Sequence, residues 1–145
     1  MSVGRIAIRV VDTVSGEETA LAAARRMHDR GVGTLVVVDD RSRPMGLLSD
    51  RDLALRVIAQ GRDPARTPVT DVMTPMPTTI LESSSIESAL GHMRTGRYRR
   101  MPVVNGAGEL VGIITLDDIL MLLAEEFSVI GALLERESPR QGAAT

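Results

Sequence analysis

Along Arg5–Val11 apolar and polar residues alternate loosely, with Ile6, Ile8 and Val10 in step, which predicts an edge strand. Thr13-Val14 is a short apolar point before the polar turn Ser15-Gly16. Over Glu17–Arg30 the period changes. Ala20, Ala23, Ala24 and Met27 share one helical face, and Arg25, Arg26 and Asp29 share the other. The spacing predicts a helix capped by Glu18 or Thr19 and ended by Gly31. Thr34–Val38 is a continuous apolar, mostly β-branched run and reads as a buried strand. A polar turn, Asp39–Pro44, leads to a second strand over Met45–Leu48, and Ser49 opens a helix to about Gln60.

After a linker rich in Pro, Gly and charge (Gly61–Pro68), and a short turn or single helical turn over Thr70–Pro75 closed by Pro75 and Pro77, the pattern starts again. Thr79-Ile80 answers Thr13-Val14. Ser85–Thr95 is a helix with Ile86, Leu90 and Met93 inward, Arg100–Val104 a strand, Asn105–Gly108 a tight turn, and Glu109–Ile114 a strand that runs into a helix at Thr115. Met27 and Met93, Gly46 and Gly112, Asp52 and Asp118 are each 66 positions apart, without a gap. The chain is an internal duplication of a β-α-β-β-α unit. The last helix is predicted over Asp117 to about Glu135. It carries Ile119, Leu120, Leu123, Phe127, Ile130 and Leu134 in one row and Leu122, Val129 and Leu133 in a second. A face that wide has two things to bury against: its own half and, as the expectation here, a second subunit, the alternative being a helix that folds back over its own domain.

Composition narrows the function. One Phe, one Tyr and no Trp leave a core of aliphatic residues and Met, and no aromatic platforms for single-stranded nucleic acid. A net charge of −2 argues against a nucleic-acid or anionic-membrane stripe. All 17 basic residues are Arg, which removes a Lys Schiff base or a Lys-dependent phosphate loop. Without Cys there is no disulfide, thiolate nucleophile or thiolate metal site. Arg5, Arg9 and Asp12 interrupt the N-terminal apolar residues, so no signal peptide and no membrane span are expected, and a cytoplasmic protein is.

The candidate chemistry sits in the repeated stretch Gly46-Leu47-Leu48-Ser49-Asp50-Arg51-Asp52 and Gly112-Ile113-Ile114-Thr115-Leu116-Asp117-Asp118. Ser49-x-x-Asp52 and Thr115-x-x-Asp118 have the form of helix caps. The same placement lets a carboxylate accept hydrogen bonds from vicinal sugar hydroxyls beside N–H groups that meet phosphate. The glycine three residues before each hydroxyl suggests a backbone that something approaches closely. Arg97, Arg99 and Arg100, with Tyr98 between, form a local positive cluster; it is either a solvated loop edge or a set of phosphate-binding forks. The matching stretch Gly31–Thr34 has no charge, so the halves should not bind phosphate equally. His28 and His92 are isolated. Asp117-Asp118 and Asp50-x-Asp52 diverge at their helix starts, and no nucleophile, base or metal constellation is present, so no enzyme is expected.

The duplication, with Asp71-Val72-Met73-Thr74 before the second copy, Arg100-Met101-Pro102-Val103-Val104 within it and Gly-h-h-[Ser/Thr]-x-x-Asp in both, resembles the CBS-domain pair, or Bateman module. That resemblance implies an α/β (α+β) fold of tandem β-α-β-β-α motifs packed with pseudo-two-fold symmetry. The expected division is motif 1 over 5–60, a linker over 61–70, motif 2 over 71–125, a helical extension over 126–137 and a flexible tail over 138–145. It implies regulatory clefts between the motifs for AMP, ADP, ATP, S-adenosylmethionine or NAD, no required cofactor, a homodimer, and a signal passed in trans to an effector protein. By position, Asp118 and Asp52 match ribose ligands, and Thr115, Ser49, Arg99 and Arg100 match groups near ribose and phosphate. Thr13, Val14, Thr79 and Ile80 match the adenine pocket. The first half departs from the family: Val36 stands where Pro102 stands in the second, and Arg5–Ile8 replaces the Asp-Val-Met-Thr lead-in. The Asp118 cleft is therefore the one expected to bind first.

Overall fold

The computed structural model describes residues 1–75, 78–96 and 99–137. Pro77, Arg97, Tyr98 and the tail at 138–145 lie outside the described residues, as do the expectations attached to them. The element order is α1 (Val3–Ile6), β1 (Thr13–Ser15), α2 (Ala20–Arg30), β2 (Thr34–Val38), β3 (Pro44–Ser49) and α3 (Asp50–Leu53), which continues as a π-helical turn over Ala54–Ile58. A 3-10 turn (Val69–Asp71) and β4 (Thr74–Pro75) lead to β5 (Ile80–Leu81), α4 (Ile86–Gly96), β6 (Arg100–Val104), β7 (Leu110–Thr115) and α5 (Leu116–Glu137). No helix among the described residues is long and apolar enough to cross a membrane.

The two halves repeat each other residue for residue. β1 runs parallel to β2 and β2 antiparallel to β3, with Thr34 opposite Ser49; β5 runs parallel to β6 and β6 antiparallel to β7, with Arg100 opposite Thr115. Even the irregularity recurs, between Val37 and Val38 and between Val103 and Val104. Thr19 caps α2 by accepting the Ala22 N–H at 3.1 Å, and Gly31 ends it in the left-handed region at φ 64°. Glu18, the other capping candidate, instead takes the Ser15 N–H and the Arg26 guanidinium, and that guanidinium holds its carboxyl below the usual range.

Two readings of the sequence need correction. The edge strand expected over Arg5–Val11 is instead the short helix α1 and a bend, with a single bridge from Ile8 to Ile113. The alternation of Ile6, Ile8 and Val10 misleads because the side chains that anchor the segment are Val3, fully buried, and Ala7. The second correction concerns Thr74–Pro75, expected only to close a turn. It adds a fourth strand to the first sheet, with Gly46 opposite Pro75 and Leu47 opposite Thr74.

These corrections share one cause: the halves exchange their leading arms. Ile8 meets Ile113 as Thr74 meets Leu47, one repeat apart. The Val3 and Gly4 N–H groups donate to Ser84 and Glu82 carbonyls, as the Val69 and Thr70 N–H groups donate to those of Glu18 and Gly16. Val69 and Val72 complete the core of the first half around Val14, Met27, Leu35 and Leu48. Val3 and Ala7 complete the core of the second around Met93, Met101, Ile114 and Ile119. Met27 and Met93 are core residues, as their spacing predicts.

Candidate functional site

Each repeated hydroxyl and aspartate forms a closed pair at a helix start. Ser49 Oγ accepts the Asp52 N–H at 3.1 Å, and Asp52 Oδ2 accepts the Ser49 N–H at 2.9 Å, a reciprocal capping box. In the second half Thr115 Oγ1 accepts the Asp118 N–H at 3.1 Å and donates its own proton to Asp118 Oδ2 at 2.7 Å. Capping is therefore real in both copies. It is also incomplete, because each carboxylate spends Oδ2 on the cap and keeps Oδ1.

The two remaining oxygens differ in their surroundings. Asp52 Oδ1 has the Arg56 Nε at 3.9 Å, and Arg56 is itself tied to the carbonyls of Val72 and Met73. One repeat later Arg56 is replaced by Leu122, which packs against the second core. Among the described residues Asp118 thus has no cation in the place that Arg56 holds beside Asp52, and its Oδ1 takes no hydrogen bond from the described side chains. A half-buried carboxylate of that kind is an acceptor for hydroxyl donors.

The glycines before the hydroxyls have a different purpose from the one the sequence suggests. A Cβ at Gly46 would lie 2.6 Å from the Thr74 carbonyl oxygen and 2.7 Å from the Met73 sulfur. At Gly112 it would lie 2.9 Å from the Ile8 carbonyl oxygen. The close approach is made by the exchanged arms of the chain itself.

The arginines separate. Arg99 reaches outward to Asp117 at 3.4 Å, both well exposed. Arg100 crosses between the halves, its Nη1 donating to Thr34 Oγ1 at 2.6 Å. Thr34 is the residue one repeat before Arg100, so this bond joins two equivalent positions and lies on the pseudo-two-fold axis. Arg100 faces Thr115 across one sheet, and Thr34 faces Ser49 across the other. The row Thr115, Arg100, Thr34, Ser49 links the two capping pairs. Sequence reasoning finds Arg100 but treats Thr34 as a plain strand residue; the repeat offset of 66 was the available signal.

The residues expected around adenine lie a little farther along the same sheets. Thr13 is opposite Val36, two positions from Thr34, and Ile80 is opposite Val103, three from Arg100. Val14 and Ile80 turn their side chains into the two cores, so only their backbone can meet a ligand. Thr79 is half-buried. Thr13 lines a cleft of about 190 Å³ with Arg9 and Val11 on one side and Ser42, Leu110 and Val111 on the other. The Leu110 N–H donates to the Ser42 carbonyl at 2.9 Å across this junction. Its counterpart one repeat back is Pro44, which has no N–H, so the tie forms once and the halves are closed unequally. A larger cavity of about 560 Å³, walled by Glu17, Asp39, Arg41, Arg43 and Thr70, contains none of the expected site residues.

Comparison with known proteins agrees with this architecture. The CBS domain matches the chain twice, over residues 3–59 and 69–125. The chain is 40% identical over 109 residues to the CBS domain-containing protein YhcV of Bacillus subtilis, covering 75% of this chain and 76% of that protein. It is 36% identical over 122 residues to the uncharacterized protein MK0525 of Methanopyrus kandleri, covering 84% of this chain but only 62% of that protein's length. The fold superposes with a TM-score of 0.72 on the CBS domain protein PAE2072 of Pyrobaculum aerophilum, solved in complex with AMP. That match covers 86% of this chain and 99% of the other at 28% identity.

Proposed function

The chain belongs to the CBS domain family, and from that premise we propose that it is a regulatory module that senses an adenosine-containing nucleotide between its two motifs and passes the state on in trans. The observation that carries this reading is the Oδ1 of Asp118, which has no partner among the described residues, on a carboxylate held in place by the Thr115 hydroxyl, itself opposite Arg100. The carboxylate takes the ribose hydroxyls and the guanidinium takes phosphate. Asp52 is the weaker position, because Arg56 already competes for its free oxygen. The AMP held by the Pyrobaculum protein supports the ligand class. Occupancy works as a population shift: a ligand touching both halves favours the arrangement in which they are closed on each other.

Calorimetric titration with AMP, ADP, ATP, S-adenosylmethionine and NADH tests the reading. Asp118→Ala is expected to weaken AMP about 10- to 100-fold, the worth of hydrogen bonds to a charged acceptor, at about 1.5–3 kcal/mol. Asp52→Ala has the smaller effect. Absence of binding by all five compounds, or equal affinity of wild type and Asp118→Ala, removes the sensor reading.

A second reading has its own observation. Beyond Leu123, α5 leaves its core, and Phe127, Val129, Ile130, Leu133 and Leu134 are all at least half exposed. We read this face as the contact of a homodimer, since a second copy brings an equal apolar face and the Arg136 of one helix suits the Glu125 and Glu126 of an antiparallel mate. Truncation after Glu125 is expected to convert a dimer to a monomer in sedimentation; a dimer that survives places the contact elsewhere.

A further inference from the structure

The bond between Arg100 and Thr34 joins the same position in the two halves, and that symmetry bears on how many phosphates the protein can hold. The second half supplies Arg99 and Arg100 where the first has Gly33 and Thr34. Arg99 is turned outward to Asp117, which leaves Arg100 as the guanidinium that bonds β6 to β2 among the described residues. It stands next to Thr115 across its own sheet, and through Thr34 it reaches the neighbour of Ser49 across the other. Its present acceptor is a neutral hydroxyl at an exposed position, a modest partner. A phosphate oxygen on either side is a better one, because it adds charge to the hydrogen bond and matches the planar fork.

We propose that Arg100, which rests on Thr34, provides one phosphate position near the pseudo-two-fold axis that is shared by both capping pairs, so that a phosphorylated ligand seated at one pair withdraws Arg100 from the other. The inference rests on the nucleotide reading above and deepens it: two ribose acceptors and, among the described residues, one guanidinium placed between them. Thr34 Oγ1 is the resting partner that Arg100 must leave when phosphate arrives. Nucleosides, which do not need Arg100, escape the competition. Nucleotides bind once per chain with high affinity, and a second one binds weakly.

Titrations with adenosine, AMP and inorganic pyrophosphate decide the matter, using wild type, Thr34→Val, Thr34→Ser and Arg100→Gln, with thermal melting to show that each variant is folded. Wild type is expected to take one AMP tightly. Thr34→Val removes the competing acceptor and tightens AMP about fivefold, corresponding to about 1 kcal/mol for a typical hydrogen bond, without moving adenosine; Thr34→Ser restores the wild-type value. Arg100→Gln brings AMP down to the affinity of adenosine. Two equal, independent AMP positions overturn the proposal, as does a Thr34→Val effect of the same size on adenosine. If adenosine binds and phosphate adds nothing, the shared position is wrong while the nucleotide reading stands. If neither adenosine nor AMP binds, the nucleotide reading fails, and pyrophosphate then decides: binding lost in Arg100→Gln upholds the anion position, and no binding removes it.

Discussion

Removing residues 1–8 is expected to destabilise the second half of the protein by roughly 4 kcal/mol and to leave the first half comparatively intact. The arm lies at the start of the first repeat in sequence but packs on the second. Val3 is completely buried in the second core, and a buried aliphatic side chain of that size contributes about 1.5–3 kcal/mol. Ala7 and the partly buried Ile6 add to it. The truncation also strips the reciprocal pair of backbone bonds between Ile8 and Ile113, at 2.9 and 3.0 Å, and the bonds from Val3 and Gly4 to Ser84 and Glu82. Against a typical stability of about 5–15 kcal/mol this is a large fraction. Thermal melting measures the loss, and hydrogen exchange locates it: amides of β6, β7 and α4 should lose protection before those of β2 and β3. Loss of protection first in the first half contradicts the exchange of arms.

The second large effect is expected at Gly46. Gly46→Ala places a methyl group 2.6 Å from a carbonyl oxygen of β4 and 2.7 Å from the Met73 sulfur. The sulfur can swing aside, but the carbonyl belongs to a strand paired with β3 at that residue, so the strand must move. The expected cost is about 3 kcal/mol, the upper part of the range for overpacking. Gly112→Ala should cost somewhat less, since its nearest obstacle is 2.9 Å away on the arm at Ile8. Gly91→Ala provides the opposite sign. It lies within α4 with nothing within 4 Å of its added Cβ, and should stabilise by about 0.5–1 kcal/mol through helix propensity alone. Chemical denaturation of the three variants measures the order, and a Gly46→Ala protein as stable as wild type refutes the crowded crossing.

The repeat made most of the fold legible. Because the offset of 66 is ungapped, each half supported the reading of the other, and β2, β6, the Thr19 cap and the Gly31 stop lie where the pattern puts them. The exchanged arms were not legible, because periodicity reports which face of a segment is buried and not which half buries it. Val3 and Val69 are one repeat apart and both fully buried, yet each is a single apolar residue in a polar setting, with no period to read. The glycine in each repeat was a true signal of close approach attached to the wrong visitor. At the site, the helix-start pairs followed from spacing. The bond from Arg100 to Thr34 did not, because spacing along the chain does not say where a long side chain ends.

The exchange of arms also sets an order on the chain as it is made. The first core needs Val69 and Val72, and its sheet needs Thr74–Pro75, so the first half has no complete interior until synthesis has passed into the second repeat. The second half faces the reverse situation. The residues that finish its core, Val3 and Ala7, are made well before Ile114 and Ile119 and stay uncovered until those follow. Neither repeat can be finished by its own stretch of chain. The second repeat is completed late, when the arm at Val3 and Ala7 closes over strands made long after it.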